Sequence, residues 1–255
     1  MVRLDEIRGA LVDVDGTLLV ADQPVPGAAA ALDVLRCRGI ALRLTTNTTR
    51  RSRASVGAVL RNAGFAVEDD EVLAPSILAR QRVLTSNHPT ALLLVSEDAR
   101  RDFEGVEEDQ EAPGFVVLGD LGAGFTFDVL NAAFRALRSG ARLLALHRNP
   151  YWTGPAGDVL DAGAFVAALE CGAATKAECV GKPESAFFDF ALEVIGLPPN
   201  EVLVVGDDPE NDAEAGTAAG CRTVLVRTGK AGRGVSADAA DCILDSVADL
   251  PSAIA

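Results

Sequence analysis

Short apolar runs alternate along this chain with longer stretches in which apolar positions recur at helical spacing. Ala10-Leu11-Val12-Asp13-Val14 reads as a buried strand and residues 28–38 as an amphipathic helix. That helix is entered after Pro24 and Pro26-Gly27 and closed by Gly39. Residues 40–45 form a second strand, and residues 51–63 a second helix stopped at Gly64. The far end repeats the style, with a helix over 184–195 stopped by Gly196 and Pro198-Pro199, a strand over 201–205, a helix over 212–219 and a strand over 222–226. Strands alternating with helices predict an α/β fold, with parallel strands joined by helical crossovers.

The middle of the chain supplies further strands at 90–96, 115–118 and 141–146 and helices at 127–139 and 164–171. An acidic stretch, 104–111, is expected to be a solvated helix or loop. These elements predict an inserted domain at 78–178 within a core made of 1–77 and 179–255. Thr85-Ser86-Asn87-His88-Pro89 is a surface turn just inside it.

Composition removes several classes. The chain has 255 residues, 49% hydrophobic and 24% charged, enough to bury a core without disulfides. A net charge of −14, with no basic block beyond Arg50, Arg51 and Arg53, argues against a nucleic-acid partner. The five cysteines are dispersed without a Cys-x-x-Cys pair, and His88 and His147 are the only histidines. Neither a zinc site nor a disulfide framework is expected, and the reducing cytoplasm is the expected compartment. Residues 1–6 do not read as a signal peptide, and no apolar run is long enough to span a membrane.

Four segments carry candidate chemistry. In Asp13-Val14-Asp15-Gly16-Thr17-Leu18 an apolar strand ends in two acids, a costly burial unless they are paired or bind a metal. An ordinary turn is the other reading. Thr45-Thr46-Asn47-Thr48-Thr49 ends the second strand in hydroxyls and an amide, suited either to a phosphate or to a helix cap. Lys182, between Gly181 and Pro183, is either a surface lysine or an anion-neutralising one. Gly206-Asp207-Asp208-Pro209-Glu210-Asn211-Asp212 closes a third apolar strand in a dense acidic loop, facing a cation or decorating a helix start. In an open parallel sheet, ligands bind at the carboxyl ends of the strands. Asp13, Asp15, Asp207 and Asp212 gathered there call for a hard divalent cation, Mg²⁺ by preference. With Lys182 and the Thr46 hydroxyl the set describes phosphoryl transfer.

Taken in this order, the motifs resemble the haloacid dehalogenase (HAD) superfamily, and the insert resembles the C2-type cap of its NagD-like subfamily IIA. Thr46-Asn47-Thr48-Thr49, Ala177-Glu178-Cys179-Val180-Gly181-Lys182-Pro183 and Val226-Arg227-Thr228-Gly229-Lys230 look like the branch holding phospholysine/phosphohistidine/inorganic pyrophosphate phosphatase. The resemblance covers nearly the whole chain and is weakest over 100–113. Thr48 stands where many relatives carry a second Asn.

It implies a Rossmann-like core with an α/β cap and a Mg²⁺-dependent phosphatase acting on a small phosphorylated metabolite. Asp13 would attack phosphorus to give an aspartyl phosphate, and Asp15 would act as acid and then base. Thr46 and Asn47 would hold the phosphoryl group, and Lys182 would orient Asp13 and balance charge. Asp13, Asp15 (through its carbonyl) and Asp207 would bind the metal, and Asp212 would bind it directly or through water. Homodimers through the cap occur among such relatives.

Two other functions are weighed, a phosphate-sensing module without turnover and a metal-independent dehalogenase; the second has no use for Asp15, Asp207 and Asp212 together. In the insert, Arg148-Asn149-Pro150-Tyr151-Trp152 either closes over substrate or packs at the hinge. Gly119-Asp120-Leu121-Gly122-Ala123-Gly124 reads as a turn, since it lacks the nucleotide-loop spacing, and the mechanism needs neither histidine.

Overall fold

The computed structural model describes residues 6–154, 157–232 and 240–254, so the sequence reading of residues 1–5 lies outside it. The chain divides into two compact units. The first holds Met1–Thr46, Val56–Leu73 and Lys182–Ala255; the second holds Asn47–Ser55 and Ala74–Gly181.

The first unit is built on a six-stranded parallel sheet. Its order is Cys242–Leu244, Arg222–Val226, Val202–Gly206, Gly9–Asp13, Ala41–Thr45 and Val72–Leu73. Gly9–Asp13 and Val202–Gly206 are buried at every position, which explains their unbroken apolar runs. The chain leaves Gly9–Asp13 toward one edge and later returns on its other side. The reversal point therefore lies between Gly9–Asp13 and Val202–Gly206, and both strands end in the acidic motifs. Val12, Leu32, Leu44, Leu60, Val205 and Val224 share one core cluster, each contributing about 1.5–3 kcal/mol on full burial.

Helices Ala28–Cys37, Arg53–Asn62 and Ser185–Ile195 stand where the periodicity predicts them. The stretch predicted as a helix from residue 212 differs. A widened turn, Pro209–Glu214, runs into a short helix, Ala215–Ala218. Asp208 starts that turn three residues ahead of the expected point, because its carboxylate accepts the N–H groups of Glu210 and Asn211, both at 3.1 Å.

The second unit has its own five-stranded parallel sheet, ordered Glu178–Cys179, Arg142–Ala145, Phe115–Leu118, Thr90–Leu94 and Glu107–Glu108. Helices Phe127–Arg138 and Ala162–Ala173 supply its core through Ala133, Leu137, Val166 and Leu169. Phe125 stacks on Phe165 with ring centroids 3.9 Å apart. The sequence pattern did not foresee helix Pro75–Leu84 or the hairpin Tyr151–Gly154/Gly157–Leu160. Part of the acidic stretch forms the exposed two-residue edge strand Glu107–Glu108.

Asn47–Ser55, outside the insert predicted from sequence, clusters with this unit for a visible reason. Thr49 Oγ1 accepts the Asp120 N–H at 3.0 Å and pairs with His147 Nε2 at 3.2 Å. Asp98 accepts the Ser52 N–H at 2.9 Å and Asp102 the Arg53 N–H at 3.0 Å. The start of helix Arg53–Asn62 is thus capped by carboxylates more than 40 residues away in sequence. Among the described residues no helix is long and apolar enough to cross a membrane. Among the described residues no disulfide joins any of the five cysteines.

Candidate active site

Asp13 is the last residue of the central strand and is 5% exposed. Its Oδ1 accepts a hydrogen bond from Lys182 Nζ at 2.6 Å, and the same ammonium donates to Asp212 Oδ1 at 2.6 Å. Asp207 immediately follows the neighbouring strand. Ligand oxygens of Asp13, Asp207 and Asp212 lie within 4.8 Å of one another, and all three residues are buried. Two carboxylates thus share one ammonium, with the Asp207 carboxylate beside them, all of them buried.

The titration behaviour follows from that packing. Burial pushes the Asp13 carboxyl well above its usual value; Lys182 opposes this and the charge of Asp212 adds to it. Burial also lifts Asp207, against the pull of the Lys230 N–H. Burial works to deprotonate Lys182, but Asp13 and Asp212 outweigh it and hold the ammonium above the ordinary lysine value. For Asp208 the upward push of burial is overcome by Lys230, whose Nζ donates at 2.6 Å, so that carboxyl titrates below its usual value.

The cluster fits a hard cation. Asp13 Oδ2 is buried and accepts no hydrogen bond. An unpaired buried carboxylate oxygen is costly, and a coordinating ion removes the cost. Oxygen-only donors match Mg²⁺, and Asp13, Asp207 and Asp212 are the residues that would hold it.

Asp15 and Thr46 form a separate pair. Asp15 is exposed, and its Oδ2 accepts from Thr46 Oγ1 at 3.1 Å. Thr46 is fully buried, with its N–H donated to the Leu73 carbonyl at 3.1 Å. Asn47 belongs to the second unit.

The sequence reading uses residues 226–230 for their family resemblance but assigns Thr228 and Lys230 no role at the site. Lys230 donates its N–H to Asp207 Oδ2 at 2.5 Å, and Thr228 Oγ1 donates to the Gly16 carbonyl at 2.5 Å. Apart from that resemblance, a Thr-Gly-Lys turn after a strand is common surface chemistry and does not point to Asp207. Gly16 has φ +92°, and a Cβ there would lie 2.4 Å from Asp207 Oδ2. Glycine is required at that position both for conformation and for space.

In the second unit, the Arg50 guanidinium sits 5.0 Å from the Trp152 ring centroid and its Nε donates to Asp120. Trp152 is therefore packed within its own unit, whereas Tyr151 is exposed. Gly122–Gly124 is a single helical turn held by Asp120 Oδ1, which accepts the Gly122 N–H at 2.8 Å. His147 is buried, and its Nδ1 accepts the Asn149 N–H at 3.1 Å.

Comparison with known proteins bears on these motifs. The haloacid dehalogenase-like hydrolase model matches residues 10–107, and a HAD-hydrolase-like model matches 179–250. The chain is 38% identical to the haloacid dehalogenase-like hydrolase domain-containing protein 2 of Bos taurus, over 88% of this chain and 85% of that protein. It is 35% identical to the phospholysine phosphohistidine inorganic pyrophosphate phosphatase of Xenopus laevis, over 88% of this chain and 84% of that one. A 4-nitrophenylphosphatase from Thermotoga maritima superposes with a TM-score of 0.92 at 28% identity, covering 100% of both chains. A glycerol phosphate phosphatase from Mycobacterium tuberculosis, solved in complex with magnesium, superposes with a TM-score of 0.78 at 27% identity, over 89% of this chain and 69% of that one. NagD from Escherichia coli shares the fold, with a TM-score of 0.87 at 24% identity over 95% of this chain and 98% of that one.

Proposed function

The chain belongs to the haloacid dehalogenase-like hydrolases, in their NagD-like subfamily IIA, and on that premise we propose that it is a Mg²⁺-dependent phosphatase of small phosphorylated metabolites. The observation that carries this reading is the Asp13–Lys182–Asp212 arrangement at the reversal point of a parallel sheet, with Asp207 beside it. Magnesium, when bound, supplies the positive charge that keeps the buried acids ionised and offsets the charge of a phosphate.

The protein's own groups then divide the work. An Asp13 carboxylate oxygen attacks phosphorus, the bond from phosphorus to the leaving oxygen breaks, and Asp15 gives that oxygen its proton. In the second half Asp15, now a carboxylate, takes a proton from water. The water oxygen attacks the phosphorus of the aspartyl phosphate, releasing inorganic phosphate and restoring the Asp13 carboxylate. Lys182 fixes one Asp13 oxygen at 2.6 Å and so limits rotation of the nucleophile. Thr46 donates its hydroxyl to Asp15 and so orients it, and when Asp15 carries its proton the Thr46 O–H can turn to the phosphoryl group. The second unit plays the part of the C2-type cap, and the dispersed cysteines, none of them in a disulfide among the described residues, favour a cytoplasmic setting.

Hydrolysis of p-nitrophenyl phosphate by protein stripped with EDTA, with and without added Mg²⁺, tests the proposal. Turnover should depend on the added metal. If no divalent cation supports phosphate release, the reading is wrong.

A further inference from the structure

The Asp207 carboxylate occupies a slot between two backbone turns. On one side is Gly16, directly after Asp15; on the other is Gly229, in the turn after strand Arg222–Val226. A Cβ at Gly229 would lie 1.9 Å from Asp207 Oδ2 and 2.9 Å from the Gly16 Cα, so the two turns meet across the carboxylate. Gly229 is a matter of space alone, whereas Gly16 also needs its φ of +92°. The Lys230 N–H donates to Oδ2 at 2.5 Å, and the Ala231 N–H donates to the Asp207 carbonyl at 2.8 Å. One side chain ties the turns together, since Thr228 Oγ1 donates to the Gly16 carbonyl at 2.5 Å.

We propose that the 228–231 turn is a positioning device that presets Asp207 for the cation, with Thr228 as its positioning residue. This rests on the metal-dependent reading above. A buried acid beside two others would swing toward water if it were free to rotate. Here Oδ2 is committed to backbone, and Oδ1 takes no hydrogen bond from the described residues. Asp207 would therefore have its Oδ1 left to offer a cation, with little side-chain freedom to lose on binding. The same hydroxyl links the 228–231 turn to the Asp13–Gly16 loop, so removing it loosens the supports on both sides of Asp207.

The test is calorimetric titration of Mg²⁺ into EDTA-stripped wild type, Thr228→Val and Thr228→Ser, with melting curves in EDTA for each. Thr228→Val should bind Mg²⁺ about 10-fold or more weakly, the cost typical of losing an outer support of a metal ligand, while Thr228→Ser stays within about 2-fold. Melting temperatures in EDTA should agree within roughly 3 °C, a change of about 1 kcal/mol. Thr228→Val binding as tightly as wild type overturns the proposal, and so does a loss of affinity matched by a loss of melting temperature in EDTA. If Thr228→Val does not fold, Thr228→Ala takes its place in the comparison. Wild type that binds no Mg²⁺ removes the metal-dependent reading itself, a result distinct from unchanged affinity in the variant.

Discussion

Replacing Lys182 with methionine removes the one ammonium bonded to Asp13 and Asp212 while keeping an unbranched stem. Each contact is 2.6 Å long, and Lys182 is 5% exposed. At an effective dielectric of about 20, each pair is worth ~6 kcal/mol, or ~12 kcal/mol together. Three carboxylates with ligand oxygens within 4.8 Å repel by at least ~3.5 kcal/mol per pair, or ~10 kcal/mol in all. Attraction and repulsion nearly cancel in the wild type, and the variant keeps only the repulsion.

The variant's acids escape by binding protons, which limits the loss to about 3–5 kcal/mol, the usual cost of removing one partner of a buried pair. That corresponds to roughly 6–20 °C in melting temperature at this chain length. The pH dependence has a definite sign. Carboxyls whose folded pKa is raised stabilise the fold below their unfolded pKa of about 4 and lose that contribution as pH rises through the folded value. The deficit of Lys182→Met should therefore be largest near pH 8 and shrink toward pH 5. Mg²⁺ should raise the melting temperature of the variant more than that of wild type, because it supplies the missing charge. Melting curves in EDTA at both pH values, repeated with Mg²⁺, measure all of this. A Lys182→Met protein that melts with wild type at pH 8 would refute this charge balance.

Asp13→Asn removes a carboxylate whose protonation burial already favours, so its melting temperature in EDTA should stay at or above that of wild type. Its p-nitrophenyl phosphate turnover should fall by about 10³-fold or more, as expected for a nucleophile; retained turnover would remove Asp13 from that role. Asp102→Ala leaves the Arg53 N–H and Ser76 Oγ, bonded at 3.0 and 2.6 Å, without their acceptor and should cost about 1–3 kcal/mol, with faster hydrogen exchange at the start of helix Arg53–Asn62. The Arg148 side chain, bonded at 2.8 Å, holds the Glu170 carboxyl down to about 2. Its stabilising contribution is present above about pH 4.5 and lost as pH falls toward 2, so Glu170→Gln should cost about 1 kcal/mol at pH 7 and almost nothing near pH 2 in pH-dependent melts.

The sequence by itself determined the local elements and the chemistry at their ends. The runs at Ala10–Val14 and Val202–Val205 are apolar because those strands are covered on both faces, and the acids that follow stand out against them. Gly39, Gly64 and Gly196 mark helix ends because the chain must turn left-handed there. Strand order was not legible, since buried parallel strands have nearly interchangeable compositions and nothing local states which is whose neighbour. The Lys182–Asp13 contact across 169 positions was expected only through the family resemblance, and tertiary structure alone decided that Asp102 caps a helix beginning 49 positions earlier. It also decided that Asn47–Ser55 joins the second unit and that the Thr228-Gly229-Lys230 turn, noted in the sequence only for its resemblance, closes over Asp207. A backbone N–H donor and the missing volume of a glycine leave no periodicity to read, and they acquire chemical meaning only when folding brings a carboxylate against them.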